Sequence, residues 1–398
     1  MSKKNFLVFS PYYNPEPVTI GTFVDELVSR DIVEQVTVIT SLPNYRNYKF
    51  YNGYGIFGPY YQKNDKLKII RLPVIPRFSN SKLAIFSFYA SFCISSFIFI
   101  IFYSLINRNK FNHLITYCGS PVYIGYIGYI ASKILNSSSS QWIQDIWPEA
   151  IETTVGIKNN FLRKIIYRLQ NNMWNYTDIV FSESNELTKY IKTKITQKKI
   201  TTLFNPIEKK LIKHDTHRNE NKNITEFSYI GNIGNAQNIE LMIESFLESK
   251  LENVRLNICG DGSLFKELSV KYKNKSIKWH GWLEGDILTN IYFSSDFLLL
   301  SLDSKGRQKL IIPSKIQSYF MHKKPILCIS DGAVGNLIKS TFSGLVCNKY
   351  NIEDASNMYK DAINLSIFER DNMSNNAYNY YKENFTKEKV VNKFLDSI

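Results

Sequence analysis

The segment Ser301–Pro325, SLDSKGRQKLIIPSKIQSYFMHKKP, joins two short apolar runs, and the rest of the chain is organised around it. Residues 296–300 before it and 325–329 at its end have the pattern of buried parallel strands. Pro313 and Ser314 have the signature of a helix start, and the helix is predicted to run to about Met321. The order strand, loop, helix, strand is typical of a doubly wound α/β domain.

The loop within this segment is basic, with Lys305, Arg307 and Lys309 ahead of the helix and Lys315 in its first turn. Ligands of open α/β sheets bind at the carboxyl ends of the strands, and the free N–H groups of a helix N-terminus favour anions. A lysine there opposes the helix dipole, and a bound anion would resolve that conflict. The pattern predicts a diphosphate site, with a solvated basic loop before an ordinary helix as the alternative.

Length and composition favour a folded protein of two domains. The chain has 398 residues, of which 44% are hydrophobic and 14% aromatic, enough for large cores. The formal net charge of +14 suits anionic partners such as phosphates or acidic lipids. Nucleic acid is not an expected partner, because the sequence has no zinc-ligand spacing, helix-turn-helix pattern or aromatic-basic strand.

The cysteines and the N-terminus indicate a reducing, cytoplasmic location. Five cysteines, an odd number, are scattered along the chain, which argues against a disulfide framework. The apolar run 5–10 is too short for a signal peptide and predicts the first strand of a domain.

Residues 83–106, LAIFSFYASFCISSFIFIIFYSLI, form an uncharged run that reaches transmembrane length. Cations flank it on both sides, so the positive-inside rule gives no orientation, and a span would separate strands that belong to one sheet. We expect a helix that packs on the sheet and lays an apolar, cation-rimmed flank on the bilayer surface. A true span and a wholly buried helix are the alternatives.

Strands and helices alternate twice along the chain, so the expected fold class is α/β with two doubly wound, Rossmann-like domains. The first domain is expected to span 1–205 and the second 206–380, with the polar stretch 206–222 as linker. The C-terminal helix of about 381–398 is a candidate to return to the first domain. Residues 44–61 are predicted to be a surface loop and 136–140 a turn.

Three glycine-containing loops follow predicted strands in the second half: YIGNIG at 229–234, CGDGS at 259–263 and HGWL at 280–283. Glycine allows the backbone to approach a nucleotide closely. One such loop is a weak signal, but three in order before the Pro-Ser-Lys helix predict a nucleotide-binding domain. The loop 11–17 after the first strand lacks Gly-x-Gly-x-x-Gly, so a dehydrogenase is not expected.

Further motifs lie at Pro11–Glu16, Leu42–Tyr45, Asp145–Glu149, Ser182–Ser184, Asn205-Pro206, Ile312–Tyr319 and Ser343–Val346. With the glycine loops, they make the chain resemble the retaining GT-B glycosyltransferases of family four over nearly its full length. It is most similar to the N-acetyl-L-fucosamine transferase-like branch, which builds O-antigen and capsule repeat units.

This resemblance implies two Rossmann-like domains facing a central cleft, a UDP-linked sugar donor in the second domain and a polyprenyl-diphosphate-linked acceptor over the first. It implies transfer with retained configuration and neither metal nor cofactor, and the sequence has no Asp-x-Asp, the usual metal-diphosphate motif. It also implies a peripheral position on the inner face of the plasma membrane, for which 83–106 is the candidate contact.

The basic loop, the strand ends and the glycine loops supply the candidate site residues. Asp145, Arg307 and Lys315 are the expected catalytic residues, and Asp145 contacts the acceptor hydroxyl or the donor sugar unless it caps the following turn. Gly21, on the first loop, would face the donor phosphates, and Trp282 either packs internally or forms a wall of the base pocket. The other expected donor-binding residues are Gly231, Asn232, Gly234, Gly260, Asp261, Gly262, Leu283, Lys309, Pro313, Ser314, Gln317 and Ser318.

The chain departs from the family at four positions. Where many relatives carry an arginine and a lysine that grip the diphosphate, this sequence has Asn232 and Gln237, and where they carry two glutamates it has Leu310 and Ser318. The charge that develops on a leaving diphosphate must still be stabilised. Arg307, Lys309 and Lys315 are the expected substitutes; an inactive relative is the alternative.

Two other functions compete with glycosyl transfer. A nucleotide-sugar 2-epimerase of the same fold needs carboxylates and histidines around the sugar, and only five histidines occur in the chain. A non-catalytic binder of a membrane surface or of nucleic acid would use the positive charge alone.

Overall fold

The computed structural model describes residues 3–44, 48–79, 81–106, 111–119, 123–147, 159–196, 199–207, 223–302 and 309–398. The chain divides into two compact units, residues 1–206 with 387–398, and residues 207–386. Each unit is built on one sheet of mainly parallel strands with helices packed on it. The expected α/β class with two doubly wound sheets is confirmed.

The sheet of the first unit has the strand order β3-β4-β2-β1-β5-β6-β7-β8. Its strands are β1 Lys4–Phe9, β2 Val33–Ser41, β3 Tyr61–Asn64, β4 Leu67–Leu72, β5 His113–Cys118, β6 Ser138–Ile143, β7 Ile179–Ser182 and β8 Lys199–Thr202. All pairings are parallel except that of the edge strand β3 with β4. The four-residue β3 was not predicted, because its sequence is polar and has no alternation of apolar and polar residues.

The predicted turn at 136–140 is wrong in its second half, since β6 already begins at Ser138. Its serines read as a turn, yet their hydroxyls have specific partners inside the sheet. The ring of His113 on β5 lies 2.7 Å from Ser138 Oγ and 2.9 Å from Ser140 Oγ. Asp178 accepts hydrogen bonds from the backbone and the hydroxyl of Ser139. Neighbouring side chains therefore satisfy a serine strand that has no apolar pattern.

The sheet of the second unit has the order β11-β10-β9-β12-β13-β14, and all its pairings are parallel. Its strands are β9 Thr225–Ile230, β10 Val254–Cys259, β11 Ile277–Gly281, β12 Phe297–Ser301, β13 Ile326–Ile329 and β14 Gly344–Cys347. Numbered within the unit, this order is 3-2-1-4-5-6, the doubly wound arrangement in which the winding direction reverses between β9 and β12.

The helices pack on both faces of each sheet. Those of the first unit are α1 Thr19–Val28, α2 Lys82–Ile106, α3 Ile124–Ile134, α4 Asn160–Tyr176 and α5 Asn185–Lys192. The second unit has α6 Ile239–Glu248, α7 Phe265–Lys271, α8 Gly285–Ser294, α9 Lys315–Met321, α10 Ala333–Thr341, α11 Ile352–Asn364 and α12 Ile367–Asn384. The last helix, α13 Lys387–Leu395, packs on α1 of the first unit.

Alternate residues of β1 divide the core of the first unit. Phe6 and Val8 face the cluster that contains α1 and Phe394 of α13. Leu7 and Phe9 face the opposite cluster, to which α2 contributes Ile100. Successive side chains of a strand point to opposite faces, so α2 lies on the face opposite α1.

The helix α2 is long and apolar enough to cross a membrane by length and composition. One side of it is buried through Phe88, Phe92 and Ile100. The other side leaves a stripe of large apolar side chains exposed: Leu83, Phe86, Ile94, Phe97, Ile98, Ile101, Phe102, Leu105 and Ile106. From Ile94 onward these residues recur at spacings of three and four, and Leu83 and Phe86 lie on the same side two turns earlier, so the stripe occupies one helix face.

Candidate functional site

The carboxyl ends of β9 and β12 form the topological switch point of the second sheet. β9 pairs with β10 on one side and with β12 on the other. The connections out of these two strands run in opposite directions, which opens a crevice where such sheets bind ligands. Gly231 follows β9 at this edge, and the segment Leu302–Ser314 follows β12. Lys305 and Arg307 of that segment lie outside the described residues.

The three glycine loops are joined to each other through their backbones. Gly231 donates to the carbonyl of Cys259 at 2.9 Å, and Gly260 donates to that of Gly281 at 2.7 Å. Gly260 has a φ of +136°, and a Cβ atom there would overlap the carbonyl oxygen of Gly231. Glycine is therefore required at this contact, and loops from three strands meet in one layer.

Lys315 brings its ammonium group to this layer. A Cβ atom on Gly231 would lie 2.7 Å from Lys315 Nζ, so the ammonium sits directly against the first glycine loop. Lys315 Nζ donates to Tyr229 Oη at 2.7 Å and lies 3.9 Å from the centroid of that ring. The ammonium is therefore packed beneath the loop and does not extend into solvent.

Burial of this ammonium lowers the pKa of Lys315 to about 7. The Cys328 thiol on β13 opposes this shift, and no carboxylate is among its causes. No carboxylate of the described residues therefore neutralises the lysine. A desolvated cation without a counter-ion is a strong site for an anionic ligand.

The two positions where the resemblance predicts cations hold a pair of amides. Asn232 Nδ2 donates to Gln237 Oε1 at 3.0 Å. A Cβ atom on Gly234 would lie 2.9 Å from Asn232 Nδ2, so the amide pair lies against the glycine loop. The loop thus presents neutral groups, and Lys315 is the described cation that contacts it.

The expected donor-binding residues from Lys309 to Ser318 lie between β12 and β13. Lys309 packs on Gly332, where a Cβ atom would lie 2.9 Å from the Lys309 Cα atom. Pro313 and Ser314 precede α9, and the Pro313 carbonyl accepts from Ile316 at 3.0 Å.

Gln317 is buried, and its amide oxygen has no partner among the described residues. Ser318, where the resemblance predicts a glutamate, interacts with Tyr292 of α8.

Trp282, after β11, is 56% exposed, and its Nε1 donates to Glu284 Oε1 at 2.7 Å. It is therefore not part of the packed core, and Leu283 beside it is half-buried. Asp261 accepts from the backbone of Gly262 at 2.7 Å, which shapes the second glycine loop.

Gly21 was expected on the first loop, but it lies in the first turn of α1. It is buried against Asn14, whose side chain a Cβ atom would overlap. The helix begins at Thr19, ahead of the expected start, because the chain after Pro17 can already adopt helical geometry. Gly21 therefore serves the packing of the 11–17 loop on α1.

A second polar cluster lies at the carboxyl edge of the first sheet. Asp145 follows β6, Glu183 follows β7 and Asn205 follows β8. Asn205 Nδ2 donates to Glu183 Oε2 at 3.2 Å, and Tyr117 Oη donates to Asn205 Oδ1 at 3.4 Å. Glu183 is 5% exposed, and its burial, together with the charge of Asp145, raises its pKa.

Sequence reasoning did not assign a role to Glu183. The available signal was a carboxyl side chain directly after a buried strand, at the same sheet edge as Asp145. Within the described ranges, no three His, Cys, Asp or Glu side chains come together as a metal site would require.

Comparisons with known proteins agree with this geometry. Residues 209–380 match the family model described as "Glycosyl transferases group 1". No curated protein sequence matches the chain significantly.

Solved structures show the same fold over the whole chain. Sucrose-phosphate synthase from Thermosynechococcus elongatus is 10% identical with a TM-score of 0.74, covering 99% of this chain and 98% of that one. HepE from Anabaena in complex with UDP-glucose is 11% identical with a TM-score of 0.64, over 99% and 98%. A glycosyltransferase from Rickettsia africae is 15% identical with a TM-score of 0.66, over 100% and 98%. The fold is therefore the two-domain GT-B fold, and the second unit carries the group 1 family signature.

Proposed function

Proceeding from the group 1 glycosyltransferase signature of residues 209–380, we propose that this protein transfers a sugar from a nucleotide-diphosphate donor bound at the switch point of the second sheet. The observation that carries the proposal is the Lys315 ammonium, desolvated and packed against the first glycine loop. A structural lysine would have a carboxylate partner, whereas this one faces a loop built for close backbone approach.

The proposed donor is UDP-linked. HepE, a structural neighbour, has been solved with UDP and with UDP-glucose, which supports a uridine donor for a chain of the same fold. The sugar we propose is an N-acetyl-deoxyhexosamine, in keeping with the sequence resemblance to O-antigen and capsule enzymes.

The chemistry is a displacement at the anomeric carbon. The acceptor hydroxyl forms a bond to that carbon while the bond from the carbon to the diphosphate oxygen breaks. The hydroxyl proton passes to the leaving diphosphate on the same face, so configuration is retained and the nucleoside diphosphate departs. Lys315 stabilises the charge that develops on the leaving oxygen, with Lys309 and Arg307 as further cations.

No metal or cofactor is needed in this proposal, because side chains carry the charge stabilisation. The amide pair of Asn232 and Gln237 adds neutral donors and acceptors but no charge. Lys315 therefore has to supply what two cations supply in many relatives. Asp145, whose charge acts on Glu183, is the proposed contact of the first unit to the acceptor.

The proposed acceptor is linked to a polyprenyl diphosphate, and the proposed location is the inner face of the plasma membrane. The exposed stripe of α2 supports membrane contact, since a soluble protein rarely exposes so many large apolar side chains on one helix. A spanning helix is disfavoured, because Phe88, Phe92 and Ile100 of α2 pack into the unit. Membrane-surface docking uses the exposed face and leaves those contacts intact.

The described histidines do not favour an epimerase. His113 is held between two serines, His280 contacts Asn257 at 2.9 Å, and His322 stacks on Tyr292. His113 and His322 are engaged away from the glycine loops, and His280, the first residue of the third loop, is held by Asn257 of β10. Among the described residues, no feature of the surface favours nucleic acid over phosphates and acidic lipid.

The proposal is tested by a screen of UDP-, GDP- and dTDP-sugars for thermal stabilisation, followed by transfer assays with the stabilising donors. A ligand at about 100 times its Kd adds about 2.7 kcal/mol of stability. We expect at least one UDP-sugar to stabilise the protein and to be consumed in the presence of a lipid-linked saccharide. Stabilisation by none of these donors would remove the proposed function.

A further inference from the structure

Tyr229 connects the two parts of the proposed donor site. It lies near the end of β9 and is fully buried. Its hydroxyl donates to the carbonyl of Asn232 at 2.6 Å and accepts from Lys315 Nζ at 2.7 Å. One phenol oxygen therefore bridges the first glycine loop and the helix α9.

The direction of both hydrogen bonds is fixed. A tyrosine hydroxyl has one proton, and the carbonyl of Asn232 can only accept it. The phenol oxygen can then only accept a hydrogen bond, and Lys315 Nζ donates it. The face of the same ring attracts the ammonium, 3.9 Å from the centroid. The lysine is thus held in one place by two attractions from one side chain.

Among the described residues, two groups face the Lys315 ammonium. From β9 it faces Tyr229, and from β13 it faces the Cys328 thiol. Neither group is an anion at neutral pH, because burial raises the pKa of both the Tyr229 phenol and the Cys328 thiol. Within the part of the chain that the structure describes, the cation is therefore oriented but not neutralised.

We propose that Tyr229 is the positioning residue of the donor site: its hydroxyl holds the Lys315 ammonium against Gly231 and ties it to the glycine loop through Asn232, ready for a diphosphate. This inference rests on the proposed function. It assigns a role to the residue that holds Lys315, the described cation that contacts the first glycine loop. That loop carries the amides Asn232 and Gln237 where the resemblance predicts cations.

A double-mutant cycle tests this arrangement. The dissociation constants of UDP and of uridine are measured for the wild type, Tyr229→Phe, Lys315→Met and the double variant. Phenylalanine keeps the ring and removes only the hydroxyl, so UDP binding should weaken about tenfold, as loss of one hydrogen bond to a charged group predicts. Uridine binding should not change, and in the Lys315→Met background Tyr229→Phe should have no further effect on UDP.

Tyr359→Phe is the matched control. Tyr359 is as buried as Tyr229, belongs to the same core cluster and donates its hydroxyl to a backbone carbonyl, that of Met242 at 3.2 Å. It does not contact Lys315, so its variant should bind UDP as the wild type does. Equal losses in the two tyrosine variants, parallel losses for UDP and uridine, or additive effects in the cycle would each overturn the positioning role.

A calorimetric measurement covers the case in which Tyr229→Phe does not fold. UDP binding is measured at pH 7 in two buffers of different ionisation enthalpy. An anion beside Lys315 raises the pKa of that group, so the wild type should take up about half a proton more than Lys315→Met. Equal proton uptake by the two proteins rejects the inference. If the wild type binds and transfers the donor but takes up no extra proton, the proposed function stands and the positioning role of Tyr229 is rejected. If the wild type binds no nucleoside diphosphate, both proposals are rejected.

Discussion

At the scale of single residues, two buried groups of this protein have pKa values displaced toward their neutral forms. Desolvation lowers the pKa of Lys315 to about 7, and burial beside Asp145 raises that of Glu183. Neither displacement helps the chain to fold at neutral pH, since each charged form is poorly solvated. Groups of this kind often serve ligands, and both lie at the carboxyl edges of parallel sheets.

Lys315→Met should lower kcat by roughly 10- to 100-fold, because a charge-assisted contact is worth roughly 1.5–3 kcal/mol and strengthens as the diphosphate leaves. Lys278→Met, which removes an exposed lysine of β11, is the control and should keep the wild-type kcat. Steady-state kinetics with a UDP-sugar measure both. A Lys315→Met enzyme with unchanged kcat and unchanged UDP affinity would exclude this residue from the site.

The same substitution should stabilise the protein without ligand. The folded-state pKa of Lys315 lies below its unfolded value, so the unfolded state binds more protons between the two, and wild-type stability rises with pH there. Lys315→Met removes this dependence. Its advantage in Tm should be largest near pH 7 and shrink toward pH 10; a variant less stable than the wild type at pH 7 would contradict the pKa shift.

Glu183→Gln should be more stable than the wild type at pH 8 but not at pH 4. The pKa of Glu183 is raised in the folded state, so its favourable contribution is present at low pH and is lost as pH rises through the folded pKa. Glutamine stays neutral throughout and keeps an amide to pair with Asn205. Thermal unfolding at the two pH values measures the effect. Glu34→Gln, at an exposed position of β2, is the control and should show no such difference.

At the scale of elements, apolar patterning predicts most strands and helices. It fails where hydrogen bonds between polar side chains stabilise a strand that has few apolar residues. The apolar runs 296–300 and 325–329 were predicted as strands, and each lies within one residue of the observed β12 and β13. The serine start of β6 was not, because the partners that satisfy it, His113 and Asp178, are remote in sequence. For the same reason the glycine loops could be predicted from local motifs, whereas Tyr229 could not: its partner Lys315 is 86 residues away.

The membrane proposal belongs to α2, and it is tested on the exposed stripe. Phe97→Asp with Ile101→Asp should release the protein from vesicles of anionic lipid, since two charges would have to enter the acyl boundary. The core should survive, because both side chains are more than a third exposed. Co-sedimentation measures binding, and transfer to a short soluble acceptor measures folding.

Phe57→Asp provides the comparison for this variant. Phe57 is 94% exposed in the same unit but lies outside α2, so its loss should leave vesicle binding unchanged. Unchanged vesicle binding by the α2 variant would reject docking through the stripe. Loss of soluble-acceptor activity would instead assign these two residues to the core.

At the scale of the whole molecule, the two units differ in the polar groups that lie at the carboxyl edges of their sheets. The second unit gathers three glycine loops and a buried lysine at one switch point, and no described carboxylate pairs with that lysine, which suits an anionic ligand. The first unit gathers neutral amides, a phenol and carboxyl groups at its sheet edge, which suits hydroxyl groups. Sequence patterning predicted two such units, but not the chemical contrast between them, which depends on burial and on contacts between distant strands.

This contrast leads to the last prediction, that the complete enzyme works without a divalent cation. If Lys315 and its neighbouring cations stabilise the leaving diphosphate, a metal ion has no charge left to neutralise there, and transfer should persist in excess EDTA. Raising the salt concentration should weaken donor binding instead, because the attraction is between a fixed cation and an anionic ligand. Initial rates with and without EDTA, after metal removal by dialysis, provide the measurement. Abolition of transfer by EDTA with recovery on adding Mg²⁺ or Mn²⁺ would show that Lys315 does not carry this role alone, since the metal would then be the principal partner of the diphosphate.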